Sequence, residues 1–207
     1  MNDVVTAVLY VVLYASAVRA GLGLVAERGR GGRRPIPFAT IAATVIVGVP
    51  SVLQLTVVPS LLGALKRDRA AIADGEAWRL LTSLVVQDGG WAGAIFNLVT
   101  LVVVGVMAER VWGAVRWAAI ALVAGVAGQL WGLVVQPVGA GNSVAVFGLA
   151  AAVAIVALRH GSRATRVAAA LSLLVAAALL LIGDIHGGAA TAGALMGLAV
   201  DRFNSPG

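Results

Sequence analysis

Apolar residues in this chain fall in long unbroken runs rather than at the spacing of a helix with one wet face. Seven runs stand out, at about 4–26, 36–62, 91–111, 114–135, 143–158, 164–182 and 185–200. A helix of about 20 apolar residues crosses a bilayer core about 30 Å thick, so runs of this length predict membrane-spanning helices. The expected fold class is all-α, a polytopic membrane helix bundle. Several runs are short for a full crossing. Loops at membrane depth are tolerated only where protein buries them or water reaches them, which predicts a wet internal cavity.

Composition sharpens this picture. With 60% apolar and 12% charged residues, a water-soluble core is the wrong description. Cysteine is absent, which excludes disulfides, thiolate metal sites and cysteine nucleophiles. No cofactor and no metal is expected. The net charge of +6 does not point to nucleic acid, because the basic residues sit in short loops between apolar runs. The first run follows Asp3 rather than a basic region and is too long for a cleavable signal, so it is expected to stay in the mature chain.

Loop charge also predicts orientation. Arg28, Arg30, Arg33, Arg34, Arg110, Arg116, Arg159, Arg163, Arg166 and Arg202 fall on one side. The other side carries Lys66, Arg67, Arg69 and Arg79 among the acids Asp68, Asp74, Glu76, Asp88 and Asp184. The arginine-rich side is expected to be cytoplasmic. That makes the chain a multi-pass protein of the cell membrane, its N-terminus extracytoplasmic and its C-terminus cytoplasmic. The third, fifth and seventh runs then all lead inward.

Polar groups in hydrocarbon are costly, so those within such runs are functional candidates. Asn97 lies in the first two turns of the third run, Ser143 opens the fifth, and His186 lies in the first turn of the seventh. Parity puts all three at one depth, near the outer face. A serine within reach of a histidine is the minimal nucleophile and general base pair. Structural readings stand beside this one. Ser143 suits a helix cap after Gly139-Ala140-Gly141-Asn142. His186 suits an interfacial histidine satisfied by Asp184, and Asn97 a helix-to-helix hydrogen bond. His160, among arginines, reads as a solvated loop residue. Small residues add a further line: Ala189, Gly193 and Gly197 in the seventh run and Ala145, Gly148 and Ala152 in the fifth form faces that allow close packing. Such packing would bring Ser143 and His186 together, with or without chemistry.

Four stretches of the chain resemble the rhomboid family. Glu76-Ala77-Trp78-Arg79-Leu80-Leu81-Thr82 looks like its Trp-Arg loop motif. Ile95-Phe96-Asn97, followed by Gly105, Glu109 and Gly113, looks like its second core helix and the acidic turn after it. Gly141-Asn142-Ser143-Val144-Ala145-Val146-Phe147-Gly148 is similar to its nucleophile motif, and His186 with Gly193 and Gly197 to its last core helix. The resemblance covers about 76–201.

It implies a rhomboid-like six-helix core over 36–202, preceded by an N-terminal transmembrane helix and basic cytoplasmic loop at 1–35 and followed by a short tail at 203–207. It also implies an intramembrane serine endopeptidase that cleaves transmembrane protein substrates in the lipid bilayer with a Ser-His dyad and no acidic third member. Carried over by motif, Ser143 is the nucleophile and His186 the general base. Asn97 is an oxyanion donor beside the Ser143 amide, and Gly141 belongs to the same substrate-binding stretch. Glu109 and Trp78-Arg79 look structural.

Two positions depart from the family pattern. Val144 stands where a small glycine follows the serine, which predicts crowding of the dyad unless a neighbour yields. Gly93 stands where a histidine is usual, removing a donor whose loss typically costs roughly a hundredfold to a thousandfold in rate. Gln87, matched by counting from Trp78, is a candidate substitute donor, while counting from Asn97 puts Asp88 there. These departures keep an alternative open, a catalytically weak or inactive rhomboid-like protein that binds transmembrane segments. A transporter is a third reading, but it would usually carry more buried ionisable groups or paired broken helices.

Overall fold

The computed structural model describes residues 3–28 and 36–202. The basic loop 29–35 and the tail 203–207 lie outside the described residues. In chain order the elements are α1 (Asp3–Arg28), α2 (Phe38–Thr56), α3 (Ser60–Leu65), β1 (Arg67–Asp68), α4 (Arg69–Ala73), α5 (Arg79–Thr82), α6 (Gly90–Trp112), α7 (Ala114–Val135), β2 (Val138–Gly139), α8 (Ser143–His160), α9 (Arg163–Leu181) and α10 (Ile185–Arg202).

Among the described residues, α1, α2, α6, α7, α8 and α9 are long and apolar enough to cross a bilayer, and the chain is a multi-pass membrane protein. The bundle is all-α. The expected second run, 36–62, divides in two. α2 ends at Thr56 and α3 begins after Pro59, whose ring cannot extend the α2 ladder. The seventh expected span, α10, is helical but is not among those six. It packs on α8, α7 and α9, so its sequence answers to protein neighbours more than to lipid.

α8 is the axis of the molecule: 67% of its apolar window is buried, against 22% for α2 at the periphery. Small residues explain how α8 and α10 fit. A Cβ placed on Gly193 would lie 2.1 Å from the Gly148 carbonyl oxygen, and one on Gly197 would lie 2.8 Å from that of Ala152. The two backbones touch, as the glycine and alanine spacing predicted.

Elsewhere polar groups settle the helix ends. No cap residue of its own satisfies the start of α2; instead Glu109 of α6 accepts from the Ala39 amide (2.9 Å), the Thr40 amide (2.8 Å) and the Thr40 hydroxyl (2.7 Å). Arg79 ties down the segment between α3 and α5, bonding Glu76 at 2.5 Å and the Gly63 and Lys66 carbonyls at 2.9 and 3.1 Å. Glu109 and Arg79 thus have the structural roles their motifs suggested. β1 and β2 pair antiparallel, Arg67 opposite Gly139, which carries the α5 segment up to the start of α8.

Candidate active site

α8 begins at Ser143, and its N-cap residue is Asn142, whose side chain makes no capping bond. The Ser143 hydroxyl therefore does not serve as the cap. It lies 2.9 Å from His186 Nε2, joining the first residue of α8 to the first turn of α10. The tautomer follows from the other ring nitrogen. His186 Nδ1 is 2.8 Å from Asp184 Oδ1, and a carboxylate only accepts, so Nδ1 carries the proton and Nε2 accepts from the hydroxyl.

Two rings fix the imidazole plane. Phe147, one turn along α8, tilts against His186 with centroids 4.3 Å apart, and Tyr10 of α1 meets it edge to face at 4.6 Å. His186 is buried. Asp184 sits in the turn after α9, where Gly183 takes a φ of +73° and Trp131 Nε1 donates to the Asp184 carbonyl at 3.0 Å. Burial works against the Asp184 charge. The hydrogen bond and charge of His186 and the hydrogen bond from Tyr10 outweigh it and hold the carboxyl below its ordinary range.

Beside Ser143 lies a cavity of about 170 Å³, lined in part by Asn97, Gly141, Ser143, His186, Gly93 and Arg67. Gly141 has a φ of +140° and donates its amide to the Ser83 carbonyl at 2.8 Å. A Cβ there would stand 3.2 Å from Asn97 Nδ2 and 3.6 Å from Ser143 Oγ, so glycine keeps the space between them clear.

A chain of amides surrounds that space. Asn97 Nδ2 donates to Gln87 Oε1 (2.7 Å), Gln87 Nε2 to Asn142 Oδ1 (3.0 Å), and Asn142 Nδ2 to the Asn97 carbonyl (3.3 Å). Gln87 is buried behind Asn97 rather than on the cavity wall, and a two-way bond with Gln54 (2.8 Å each way) fixes its own backbone. One Asn97 proton is thus committed to Gln87, while the second is left for the cavity. Asp88, the other position matched by counting, accepts from the Ala140 amide at 2.8 Å.

The two departures have distinct surroundings. Val144 lies against Gly128 of α7, where an added Cβ would come within 2.9 Å of the valine Cβ. The missing bulk at 128 receives the valine, so the expected crowding is relieved by a neighbour. Gly93 borders the cavity, and a Cβ there would meet nothing within 4 Å. That side of the site is open.

Sequence reasoning missed Arg67 and Tyr10. Arg67 is 1% exposed, bonded to Gln129 and to the Gln136 carbonyl, with Nε unpartnered. Burial lowers the pKa of its guanidinium, and the Asp88 charge opposes this. No spacing rule tells Arg67 from its charged neighbours Lys66, Asp68 and Arg69. His160, expected to be solvated, is exposed yet has a partner, Asp201 Oδ2 at 2.7 Å.

A model of the Rhomboid domain matches residues 74–203. The rhomboid protease GluP of Bacillus subtilis (strain 168) is 40% identical over 95 residues, which is 45% of this chain and 18% of that protein. The chain thus matches less than a fifth of that relative's length. No solved structure matches. With the family model covering well over half of the chain and the helix bundle built as described, the chain belongs to the rhomboid family.

Proposed function

We propose that this protein is an intramembrane serine endopeptidase that cleaves transmembrane protein substrates, with Ser143 as nucleophile and His186 as general base. One observation carries the reading: the 2.9 Å contact of the Ser143 hydroxyl with His186 Nε2, at the edge of a cavity that Asn97 also lines. His186 takes the hydroxyl proton as Ser143 Oγ bonds to the scissile carbonyl carbon, then returns it to the leaving nitrogen as the peptide bond breaks. Water then enters the same cavity and gives a proton to His186 as its oxygen bonds to the acyl carbon, and His186 returns that proton to Ser143 Oγ as the ester bond breaks and the carboxylic acid leaves.

The free amides at the start of α8 and the second Asn97 proton are suited to the developing oxyanion. Gln87 acts through Asn97, holding that amide so that its free proton meets the cavity. Gly141 leaves the room that a substrate carbonyl needs. The orientation drawn from loop charges puts this cavity toward the extracytoplasmic face.

Reconstituted protein incubated with a generic transmembrane substrate tests the reading. Wild type is expected to give product, and Ser143→Ala and His186→Ala none. Labelling by a serine-directed fluorophosphonate should vanish in Ser143→Ala. Equal product from all three proteins would overturn the mechanism and favour a protein that binds transmembrane segments without cutting them.

A further inference from the structure

α1 precedes the segment matched by the family model, yet it places a side chain at the active-site cluster. Tyr10 donates its hydroxyl to Asp184 Oδ2 at 2.7 Å. The other oxygen, Oδ1, accepts both the His186 backbone amide and His186 Nδ1, each at 2.8 Å. We propose that Asp184 and Tyr10 form a positioning relay for His186: Asp184 holds the imidazole in its Nδ1-protonated form, and Tyr10 of the first helix holds Asp184. This rests on the reading of Ser143 and His186 as nucleophile and base, and it adds an acidic third member and a helix from outside the matched segment.

Geometry leaves the carboxylate little freedom. Both of its oxygens are occupied by donors from two different helices, and Trp131 pins the carbonyl of the same residue. Tyr10 does a second thing at once, since its ring meets His186 and, at 5.2 Å, Phe147 edge to face. The imidazole is thereby enclosed by α1 on one side and α8 on the other.

The position of α1 is itself fixed at its far end. Glu27 accepts from the Ser162 amide at 3.0 Å and from the Thr165 hydroxyl at 2.9 Å. Between these anchors Leu13, Ala17 and Ala20 are fully buried, and a Cβ on Gly21 would collide with Met107. Tyr10 is therefore presented by a docked helix.

Other groups around His186 do not replace Asp184. From α8 come Ser143 and Phe147; from α6, Asn97; from α1, Tyr10, with Tyr14 behind, tilted against Phe147 at 4.5 Å. Arg67 and Asp88 line the same cavity with opposite charges. Asp184 is the carboxylate in direct contact with the ring, and an anion there stabilises the imidazolium that forms when Ser143 gives up its proton.

The test is the pH profile of fluorophosphonate labelling for wild type, Asp184→Asn and Tyr10→Phe in detergent. Asp184→Asn should lower the plateau rate by about a hundredfold or more. It should also move the acid limb to lower pH, because the protonated ring loses its anionic partner. Tyr10→Phe keeps the edge-to-face ring contact and removes one donor. Its plateau should fall about threefold to tenfold, with the acid limb moving slightly upward as the less solvated carboxylate attracts the imidazolium more strongly.

A contact that merely docked α1 would lower the melting temperature and leave both limbs in place, and that result would overturn the relay. If Asp184→Asn does not fold, Tyr10→Phe decides by the same limb. Protein carrying ¹⁵N-histidine gives a readout independent of labelling, with His160→Ala assigning the resonances. His186 should carry its neutral-form proton on Nδ1, and an Nε2 proton there would overturn the proposal. Labelling that does not depend on Ser143, with the Nδ1 tautomer intact, would instead sink the protease reading and leave the Asp184–Tyr10 arrangement standing.

Discussion

α8 and α10 lie side by side, and each end of the pair sets a histidine against an aspartate. At one end His186 Nδ1 meets Asp184 at 2.8 Å; at the other His160 Nε2 meets Asp201 at 2.7 Å. The pairs differ in everything around them. His186 is buried between two aromatic rings and turns its second nitrogen to a serine hydroxyl. The His160 side chain is 41% exposed, and its carboxylate partner also takes Arg159 Nε at 3.1 Å. A histidine–aspartate contact is therefore not what makes a reactive site. A nucleophile on the free nitrogen, a cavity beside it and exclusion of competing charges are what the second end lacks.

The largest expected effect tests that contrast directly. His186→Ala should cut Ser143-dependent labelling by about a thousandfold or more, because removing one member of a unit that works together removes most of its effect. His160→Ala should stay within about twofold of wild type. A comparable loss in both variants would show that the two ends are not functionally distinct.

The seam between the two ends comes next. Gly193→Ala forces a Cβ to within 2.1 Å of the Gly148 carbonyl, with only backbone on the opposing side to give way. We expect a loss of about 3 kcal/mol or more in detergent unfolding, with labelling lost alongside. Gly197→Ala, whose nearest contact would be 2.8 Å, should cost visibly less. Because Gly193 lies nearer the Ser143 end, the ratio of the two effects reports how far reactive geometry depends on helix approach.

Much of this arrangement was legible in the sequence. The apolar runs marked the spanning helices, and the small residues at Gly148, Gly193 and Gly197 announced the α8–α10 approach, because both signals are local and periodic. Ser143, His186 and Asn97 could be singled out because polarity in an apolar run is conspicuous. Legibility ended where a partner lies far along the chain. Tyr10 and Asp184 are separated by 174 positions, and a tyrosine in an apolar helix carries no mark of its partner. The two-residue strands β1 and β2 are too short to show a period. The effect of Val144 was half legible: its bulk was plain, but the glycine in α7 that receives it was not.

That receiving glycine gives the third prediction. Val144→Gly, which restores the residue usual in the family, should not free the site. It leaves a void above Gly128 and beside Ala189, and should cost about 2–3 kcal/mol in unfolding without raising the labelling rate. A faster variant of unchanged stability would mean that the valine does crowd Ser143.

Acid should separate the two ends more gently. The folded-state pKa of Asp184 lies below its ordinary value of 3.8, so its contribution to stability is complete above that value and is lost as pH falls through the lower folded one. The melting temperatures of wild type and Asp184→Asn in detergent should differ by the equivalent of about 1–2 kcal/mol at neutral pH, stay apart down to about pH 5, and converge as pH falls below 3.8. At the other end, Asp201→Asn and His160→Ala should couple by less than about 1 kcal/mol in a double-mutant cycle at neutral pH, because the His160 side chain is 41% exposed to screening solvent and Asp201 also takes Arg159. A coupling there as large as the Asp184 difference would mean that burial and aromatic enclosure add nothing to the His186 pair, and the contrast between the ends would then rest on Ser143 and its cavity alone.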